Sequence, residues 1–576
     1  MKRKILLGSF VSVCLIVLSS CDLNLAPEDT LSPSTYFANE SQLELWTNRF
    51  YSMFPDADDL AKQNADDNIS SELGETLMGQ RTAASESGWN WERLRDINYF
   101  LQHSNQCSDE SARKHYDGVA YFFRAYFYFQ KVKRYGDVPW YDQVLNSNDD
   151  KLLTKARQDR GIIMDSVMSD LDKAITMLPT KKDQVHVTKW TALALKSRAG
   201  LYEGTFRKYR GMSNSGKYLK QAADAGEQFI NNGGYKLYSV GTEPYRTLFN
   251  SIDCVSDEVI LTRKYSNTAN VRHSIPFNII QNRQGFTKRF MNHYLMSDGS
   301  RFDEQDGWQT MDYVAETKNR DPRMAQTVLC PGYIQTGASS VTANDLSALT
   351  GYRPIKYVNA SAYDGALKAI TDYPLFRAAE VYLNFAEAKA ELGTLTQTDL
   401  DKSVNKIRDR AKMPHMDLAS ANANPDKLLL QYYPNVTKSG NTGVILEIRR
   451  ERTVELALEG FRMWDIFRWK EGQQFTKAFE GCYFPGKGEY DMDQDGTPDL
   501  LLYTTSKGNF KGTAYQIGKD IILTNSTSGY IHALSNITVT WDENRDYLWP
   551  IPATERVLTG GVLTQNPGWT DTTNFN

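Results

Sequence analysis

The chain has 576 residues, and its 66 Lys and Arg nearly balance its 70 Asp and Glu, giving a formal net charge of -4 at pH 7. This length suggests roughly two to four domain-sized units or one large composite domain, and the mixed charges argue against a nucleic-acid-binding surface. Aromatic residues make up 12% of the chain, a content that fits both a large core and a surface that stacks on sugars or peptides.

The first residues form a predicted targeting segment. Basic residues at positions 2–4 precede an apolar run over residues 5–18, which is too short to span a membrane but typical of a signal peptide. The run ends in Leu18-Ser-Ser-Cys21, which resembles the recognition site of bacterial lipoprotein signal peptidase. We therefore predict cleavage after residue 20 and a lipid anchor on Cys21. The alternative is an ordinary secretory signal in which this cysteine is incidental.

Apolar residues at helical spacing predict a mainly α-helical fold, with Asn39 or Ser41 as the cap of the first helix. The predicted helices are residues 43–53, 92–105, 112–135, 162–178, 189–206, 218–230, 374–392, 399–411 and 444–467. Small alanine residues recur in several of them, as in Phe123-Arg-Ala125, and they let helices approach closely. We therefore predict tetratricopeptide-like helix pairs stacked into a layer, in preference to unrelated helix bundles.

Two long segments lack a sustained periodicity. Residues 239–373 are mixed and contain one predicted strand at residues 258–262, while residues 473–576 are dominated by predicted loops. Long irregular segments on a helical frame are usually binding loops. We therefore expect the helix pairs to support a long, irregular ligand-binding half.

Four cysteines follow the targeting segment: Cys107, Cys254, Cys330 and Cys482. They lie far apart and form neither a C-x-x-C pair nor the dense spacing of a disulfide-rich domain. We expect mostly buried free thiols.

A series of short motifs follows the predicted lipid anchor. They are Asp22-Leu-Asn-Leu-Ala-Pro27, Tyr36-Phe37, Asn48-Arg-Phe-Tyr51, Arg134-Tyr-Gly-Asp-Val-Pro139, Asn319-Arg-Asp-Pro-Arg323, Glu447-Ile-Arg-Arg-Glu-Arg452, Trp464-Asp-Ile-Phe-Arg468, Leu548-Trp-Pro-Ile-Pro-Ala553 and Asn566-Pro-Gly-Trp569. Each motif is weak alone, but their number and order resemble the SusD/RagB family of outer-membrane nutrient-binding lipoproteins over nearly the whole mature chain.

The resemblance implies helix pairs that support an irregular ligand-facing half. It also implies a lipid-anchored, surface-exposed protein of the outer membrane that acts as the lid of a SusC-like TonB-dependent transporter. The cargo in this family is usually a glycan and sometimes a peptide. We predict that no cofactor is required and, from the mixed charges, that no nucleic acid binds. The chain then divides into a signal peptide (1–20), an N-terminal region with helix pairs (21–238), an irregular ligand-facing insertion (239–373) and a C-terminal region (374–576).

Sugar binding requires flat apolar rings with a polar rim, because sugar C–H faces stack on rings while polar side chains bond to the hydroxyl groups. The predicted ligand contacts are Arg81, Trp89, Asn90 and Trp91 in one polar segment and Trp308 in the middle segment, with Tyr265, Phe277 and Tyr333 as weaker candidates. The alternative is that these rings pack loops onto the helical frame.

One acidic loop has the spacing of a calcium site. Its alternating carboxylates are Asp491, Asp493, Asp495 and Asp499. Gly496 allows the turn that brings such hard oxygen ligands together. Leu502 stands where an EF-hand has its bidentate Glu, so a complete EF-hand is excluded. The loop is a candidate structural calcium site, and an ordinary acidic turn is the alternative.

No residue pattern supports catalysis. The charged run from Glu447 to Glu455 has acidic side chains at i, i+4 spacing with arginines between them, which we interpret as structural ion pairs. Residues 481–488 resemble a Walker A loop, but Gly488 replaces the Ser or Thr that binds magnesium. We therefore predict a binding protein and not an enzyme. The alternatives are a surface-anchored glycoside hydrolase or peptidase, and a scaffold that binds only proteins.

Overall fold

The computed structural model describes residues 36–571, except residues 146–148 and 150–153. The predicted signal segment and Cys21 lie outside the described residues, so lipidation stays a prediction. In the described part of the chain, no helix is long and apolar enough to cross a membrane.

Helices provide most of the regular structure. The longer ones are α1 (Glu40–Asn48), α2 (Glu92–His103), α3 (Glu110–Tyr135), α4 (Arg160–Met177), α5 (Lys189–Lys208), α6 (Ser215–Asn232), α7 (Ala378–Leu392), α8 (Val404–Ala411), α9 (Thr442–Glu455) and α10 (Arg462–Trp469). Shorter helical segments lie at Arg49–Met53, Ala57–Ala61, Glu75–Met78, Ser104–Gln106, Pro244–Asn250, Ile275–Gln281, Lys288–Met291, Phe302–Glu304, Trp308–Thr310, Tyr313–Glu316, Met324–Thr327, Ser361–Tyr363, Gln397–Asp401, Leu418–Ala423, Lys427–Tyr432, Gly472–Thr476 and Ala553–Leu558.

Local signals in the sequence set the ends of these helices. The Asn39 side chain accepts a hydrogen bond from the backbone of Gln42 at 3.1 Å, which confirms Asn39 as the cap of α1. Asp109 caps α3 in the same way, and that helix ends where Gly136 takes φ +72°, a conformation that residues with a Cβ rarely adopt. The helices predicted between residues 43 and 230 are confirmed, with shifts of a few residues at their ends.

The helices pack as pairs in one layer. α3 packs on α4, α5 packs on α6, and α7 packs against both α5 and α6. Glycines allow the close approach. A Cβ added at Gly204 of α5 would lie 2.7 Å from Leu219 of α6, and one added at Gly226 of α6 would lie 2.9 Å from Phe385 of α7. This arrangement confirms the predicted mainly α-helical fold with tetratricopeptide-like pairs.

The remaining regular structure of the described chain consists of short paired strands. They are β1 (Asn68–Ile69), β2 (Val259–Arg263), β3 (Gly285–Phe286), β4 (Tyr373–Arg377), β5 (Phe479–Phe484), β6 (Gly488–Tyr490), β7 (Leu500–Tyr503), β8 (Thr513–Gln516) and β9 (Gly529–Ala533). β1 pairs with β3, β2 with β4 and β5 with β9, all antiparallel, while β7 lies between antiparallel β6 and parallel β8. β2 confirms the predicted strand. β5 to β9 lie in the segment predicted as loops.

The helix predictions in the second half of the chain need correction. The helix predicted over residues 374–392 begins at Ala378, because the residues before it form β4 and pair with β2. The stretch predicted over residues 444–467 is interrupted between α9 and α10, where Leu458 and Gly460 take φ +59° and +77°. The helix predicted over residues 399–411 is interrupted at Ser403 (φ -131°, ψ -93°), before α8 begins.

Buried ion pairs join the helical layer to the irregular half. Glu455 of α9 pairs with Arg377 at 2.7 Å and with Arg323 at 3.1 Å, and these three side chains are at most 2% exposed. Arg377 also bonds to Glu459 at 2.7 Å. The guanidinium groups thus hold distant segments in register, which confirms the predicted structural role of the charged run.

Two large apolar clusters form most of the core of the described chain, one under the helical layer and one in the irregular half. Cys107 belongs to the first cluster, and Cys254, Cys330 and Cys482 belong to the second. All four are buried free thiols, as predicted. The division of the chain into separate regions stays a prediction.

Candidate ligand-binding site

Arg81 lies in the core, where it anchors the C-terminal segment. Its Nη2 donates to the backbone oxygen of Asp546 at 2.7 Å, and its guanidinium lies 4.5 Å from the ring centre of Trp549. Burial lowers the pKa of Arg81 to about 10, although Asp546 partly offsets this effect. The Arg81 side chain therefore stabilises the packing of the C-terminal segment. Its contact with a ligand stays a prediction.

The predicted tryptophan pair packs against α3. Trp89 is 8% exposed, and its ring centre lies 5.2 Å from that of Trp91 and 4.8 Å from that of Tyr135. Trp91 is half-buried against Phe127, while the Asn90 side chain accepts a hydrogen bond from the start of α2. The positions of these rings match the alternative interpretation, in which they pack the loop onto the helical frame. Their contact with a ligand stays a prediction.

The weaker candidates lie in separate places. Tyr265 is buried, and its hydroxyl accepts a hydrogen bond from the backbone of Ala57 at 3.2 Å. Tyr333 is buried beneath the guanidinium of Arg246, which lies 4.7 Å from its ring centre. Phe277 is half-exposed on the short helix Ile275–Gln281. The structure therefore does not bring the predicted aromatic candidates together into one site.

Trp308 lies beside a different group of rings, next to β5 and β9. It is half-exposed, and its ring centre lies 6.0 Å from that of Phe302. The hydroxyl of Tyr530 donates to the backbone oxygen of Gln309, and Tyr530 contacts Tyr483 edge to face with ring centres 5.7 Å apart. Tyr483 and Tyr530 thus form a half-exposed ring pair that is bonded to the residue after Trp308, and we call Trp308, Tyr483 and Tyr530 the aromatic rim.

A cavity of about 260 Å³ lies close to the aromatic rim. Its lining residues are Asp66, Thr287, Lys288, Arg289, Asn292, Tyr432, Gln474, Lys477, Ala478, Phe479 and Glu480. Lys288 links the two features, because its Nζ lies 5.7 Å from the ring centre of Tyr530 and pairs with buried Glu316. The cavity and the rim together form the candidate site.

Fixed polar groups occupy one side of this cavity. The guanidinium of Arg289 lies 4.5 Å from the ring centre of Tyr432, and its Nη1 donates to Oε1 of Gln474 at 2.6 Å. The amide of Asn292 donates to the Tyr432 hydroxyl at 3.0 Å, while its buried Oδ1 makes no hydrogen bond among the described residues. These contacts hold donors and acceptors in place around a ring.

Glu480 adds a free carboxylate to the cavity lining. It lies on β5 across from His532 of β9, and no hydrogen bond or ion pair engages it in the described chain. Burial raises the pKa of this carboxyl, whereas His532, Lys288 and Arg289 act in the opposite direction. Burial also raises the pKa of Tyr530, so this phenol stays neutral and donates through its hydrogen.

Most of these residues escaped the sequence analysis. Tyr483 lies in the segment considered only as a near-match to a nucleotide-binding loop, and that segment folds as β5 followed by β6. In β9 the burial alternates, with Tyr530 and His532 on the half-exposed face. This period of two was the signal that would have placed both residues on one face.

The acidic loop lies between β6 and β7. One carboxylate oxygen each from Asp491, Asp493 and Asp499 lies within 4.8 Å of the others. Asp495, the fourth predicted ligand, is not part of this group and accepts a hydrogen bond from the backbone of Thr497 at 2.7 Å. Three of the four predicted oxygens therefore converge, and calcium binding stays a prediction.

Comparison with known families decides what kind of protein carries this site. The family model described as "SusD family" matches residues 257–569, which is more than half of the chain. The chain belongs to the SusD family. A second family model, described as "Starch-binding associating with outer membrane", matches residues 47–201 of this SusD-family protein.

Relatives match over nearly their whole length. SusD-like protein P2 of Formosa agariphila is 21% identical over 97% of this chain and 99% of its own. A solved SusD-like protein of Bacteroides fragilis has 23% identity and a TM-score of 0.68 over 94% of this chain and 100% of its own. A SusD-like carbohydrate binding protein of the same species has 20% identity and a TM-score of 0.68, covering 91% and 99% of the two chains. These likenesses show a shared SusD fold.

Proposed function

We propose that this SusD-family protein binds a glycan in the cavity beside β5 and β9, with the aromatic rim as the surface on which sugar rings stack. The observation that supports this proposal most strongly is the half-exposed ring pair of Tyr483 and Tyr530, which β5 and β9 hold close to a polar cavity. Sites for small ligands combine apolar and aromatic walls with a few fixed polar groups.

The chemistry of the lining fits sugar hydroxyl groups. Arg289 supplies donors, Glu480 supplies acceptors, and Asn292 supplies a buried amide oxygen that makes no hydrogen bond among the described residues. A hydroxyl group both donates and accepts, so it satisfies either kind of partner. A peptide ligand remains the alternative cargo, since its backbone also offers donors and acceptors.

The names of relatives support a glycan as the ligand. A solved relative is named as a SusD-like carbohydrate binding protein, and another, with a TM-score of 0.54 and 17% identity, as a laminarin-binding SusD-like protein. The family model for residues 47–201 is described as starch-binding and as associating with the outer membrane. We extend these properties to this chain as part of the proposal.

The proposal also includes a role at the cell surface, as the lid of a transporter. A lipid anchor on Cys21 would tether the protein to the outer membrane at the cell surface, where it would act as the lid of a SusC-like TonB-dependent transporter. The protein would hold the glycan without cleaving it. Co-purification of a TonB-dependent transporter with the native lipoprotein is expected, and intact oligosaccharide after prolonged incubation distinguishes this role from that of a glycoside hydrolase.

Calorimetric titration with maltoheptaose and with laminarihexaose tests the binding site. We expect one of these glucans to bind, and the combined Trp308→Ala, Tyr483→Ala and Tyr530→Ala variant to lose about tenfold or more in affinity, because each lost stacking ring removes about 1 kcal/mol. The matched control is Tyr503→Ala, which removes a half-exposed tyrosine of β7 that does not line the cavity.

Melting temperatures separate loss of binding from loss of folding. A folded rim variant with unchanged affinity for the glucan would contradict the proposed site. Release of shorter sugars by the wild-type protein would contradict the non-catalytic role.

A further inference from the structure

A second cavity, of about 280 Å³, lies within the helical layer. It shares no lining residue with the candidate glycan site. Helices α3, α5, α7, α9 and α10 all contribute to its walls, and the segment after α1 covers one side with Met53, Phe54 and Pro55. The walls therefore combine apolar groups with several charged side chains.

The ammonium group of Lys133 is the unusual feature of this cavity. The residue is 8% exposed, and its Nζ lies 4.2 Å from the ring centre of Trp464 and 5.1 Å from that of Phe129. Within the described residues, no carboxylate pairs with this ammonium and no hydrogen bond engages it. Burial lowers the pKa of Lys133 to about 7, because the charged form is costly in this setting unless an anion accompanies it.

The other charges of the walls are already paired. Arg198 bonds to Glu380 at 2.6 Å, and Asp465 lies 2.7 Å from Arg452 and 2.9 Å from Arg468. These pairs leave the charge of Lys133 uncompensated at the cavity. An incoming anion therefore meets one unpaired lysine amine, whose charged form it would stabilise, and no free carboxylate of the described wall.

Two tyrosine hydroxyls add neutral donors. The hydroxyl of Tyr202 is buried and has no hydrogen-bond partner among the described residues, and the residue is 4% exposed. Tyr126 also lines the cavity, and its hydroxyl makes no hydrogen bond in the described part of the chain. A buried hydroxyl without a partner costs free energy, so the Tyr202 hydroxyl favours a polar ligand, and the Tyr126 hydroxyl offers a further donor.

We propose that this cavity is a second binding site, for a small organic carboxylate whose charged group pairs with Lys133 and whose body packs against the apolar wall. The volume lies near the lower end of about 300–1,000 Å³ that is common for ligand pockets, which favours a ligand of about one ring. The shared chemistry is a carboxylate on a compact body, and that body is either a sugar acid or an aromatic acid.

Titration with sodium D-glucuronate and with sodium 4-hydroxybenzoate distinguishes these two bodies. We expect one of the two carboxylates to bind, and its neutral amide, D-glucuronamide or 4-hydroxybenzamide, to bind about tenfold or more weakly, because the ion pair with the ammonium is lost. Binding of neither carboxylate more tightly than about 1 mM would overturn the proposal, and so would equal binding of acid and amide.

Lys133→Met tests the assigned cation. This variant keeps the packing of the side-chain stem and removes an uncompensated charge, so we expect an unchanged or higher melting temperature and about a tenfold or greater loss of carboxylate affinity. Tyr202→Phe should weaken binding several-fold without lowering the melting temperature. Lys133→Arg should retain measurable affinity.

The matched control is Lys131→Met on the same helix. The ammonium of Lys131 also lies near rings, but it donates to the backbone oxygen of Gly88 at 2.7 Å and does not line this cavity. Lys131→Met should leave carboxylate binding unchanged. Full carboxylate affinity in folded Lys133→Met would overturn the proposal, and glucan binding by that variant should stay at the wild-type level, since the two sites are separate.

Discussion

Glu387 of α7 shows how a fully buried charge is held in this protein. Its two carboxylate oxygens accept from Arg468 at 2.5 and 2.7 Å, and one of them also accepts from the indole of Trp469 at 2.7 Å. Burial alone raises the pKa of this carboxyl, but Arg468, Arg452 and Arg449 outweigh that effect and hold it at about 2. The ion therefore stabilises the folded state only while it stays charged.

This pairing predicts loss of stability in acid. Because the pKa of Glu387 is lower in the folded chain than in the unfolded chain, its contribution is complete above about pH 4.5 and disappears as the pH falls towards 2. The full effect is about 3 kcal/mol as an order of magnitude. Denaturant unfolding at pH 7, 5, 4 and 3 measures it.

The variant Glu387→Gln provides the comparison. It should be less stable than the wild type at pH 7, and the difference between the two proteins should shrink as the pH falls below 4.5. A difference that stays constant down to pH 3 would contradict the assigned role of Glu387.

Single residues also show the limits of sequence reasoning about the site. Trp308 was predicted from a surplus of aromatics in an irregular segment, and the structure places its ring against Phe302 and its neighbour Gln309 against the hydroxyl of Tyr530. Arg289 and Tyr432 carried no local signal, because they meet only through tertiary packing across more than one hundred residues of chain. Trp89 satisfied the same composition rule as Trp308 but is buried against α3.

At the scale of elements, long periodic helices were predictable and short strands were not. α3 carries its apolar residues on a broad face over many turns, so its existence follows from the sequence alone. β4 has a burial pattern that also fits the first turn of a helix, and only its pairing with β2 decides the outcome. Strands such as β6 and β8 are too short for an alternation to be recognised.

The contact between α5 and α6 predicts the effect of a single methyl group. A Cβ at Gly200 would lie 2.8 Å from the backbone oxygen of Tyr218, which cannot move without displacing α6. Gly200→Ala should therefore destabilise the protein by about 1–3 kcal/mol, although alanine favours a helix by about 1 kcal/mol over glycine. Denaturant unfolding measures both effects.

Gly216 in α6 is the matched control, because the nearest atom to an added Cβ lies 4.0 Å away. Gly216→Ala should leave stability unchanged or increase it. Equal effects of the two substitutions would contradict the close packing of this pair.

The loop between β6 and β7 predicts a response to calcium. Calcium bound by the three converging carboxylates should raise the melting temperature above that of the chelator-treated protein, with a gain of about 2.7 kcal/mol when its concentration is one hundred times the dissociation constant. Asp493→Asn should remove much of this gain, and Asp495→Asn should not, since Asp495 lies outside the group. An unchanged melting temperature and no heat on titration would eliminate the site.

At the scale of the whole molecule, the candidate glycan site depends on segments that are far apart in the chain. Arg289, Tyr432, Glu480 and Tyr530 come from four separate parts of the sequence, and they meet only in the folded chain. In the proposed site, the helical layer would supply the frame and the irregular half would supply the ligand contacts. This division explains why the fold followed from the sequence more readily than the site did.

A crystal structure of the protein with the glucan that binds in titration is the most direct test of this account. We expect a sugar ring stacked on Tyr483, Tyr530 or Trp308, with hydroxyl groups bonded to Arg289 or Glu480, as the proposed glycan site requires. A sugar held instead between Trp89 and Trp91 after a rearrangement of that segment, or one bound in the helical cavity beside Lys133, would contradict it.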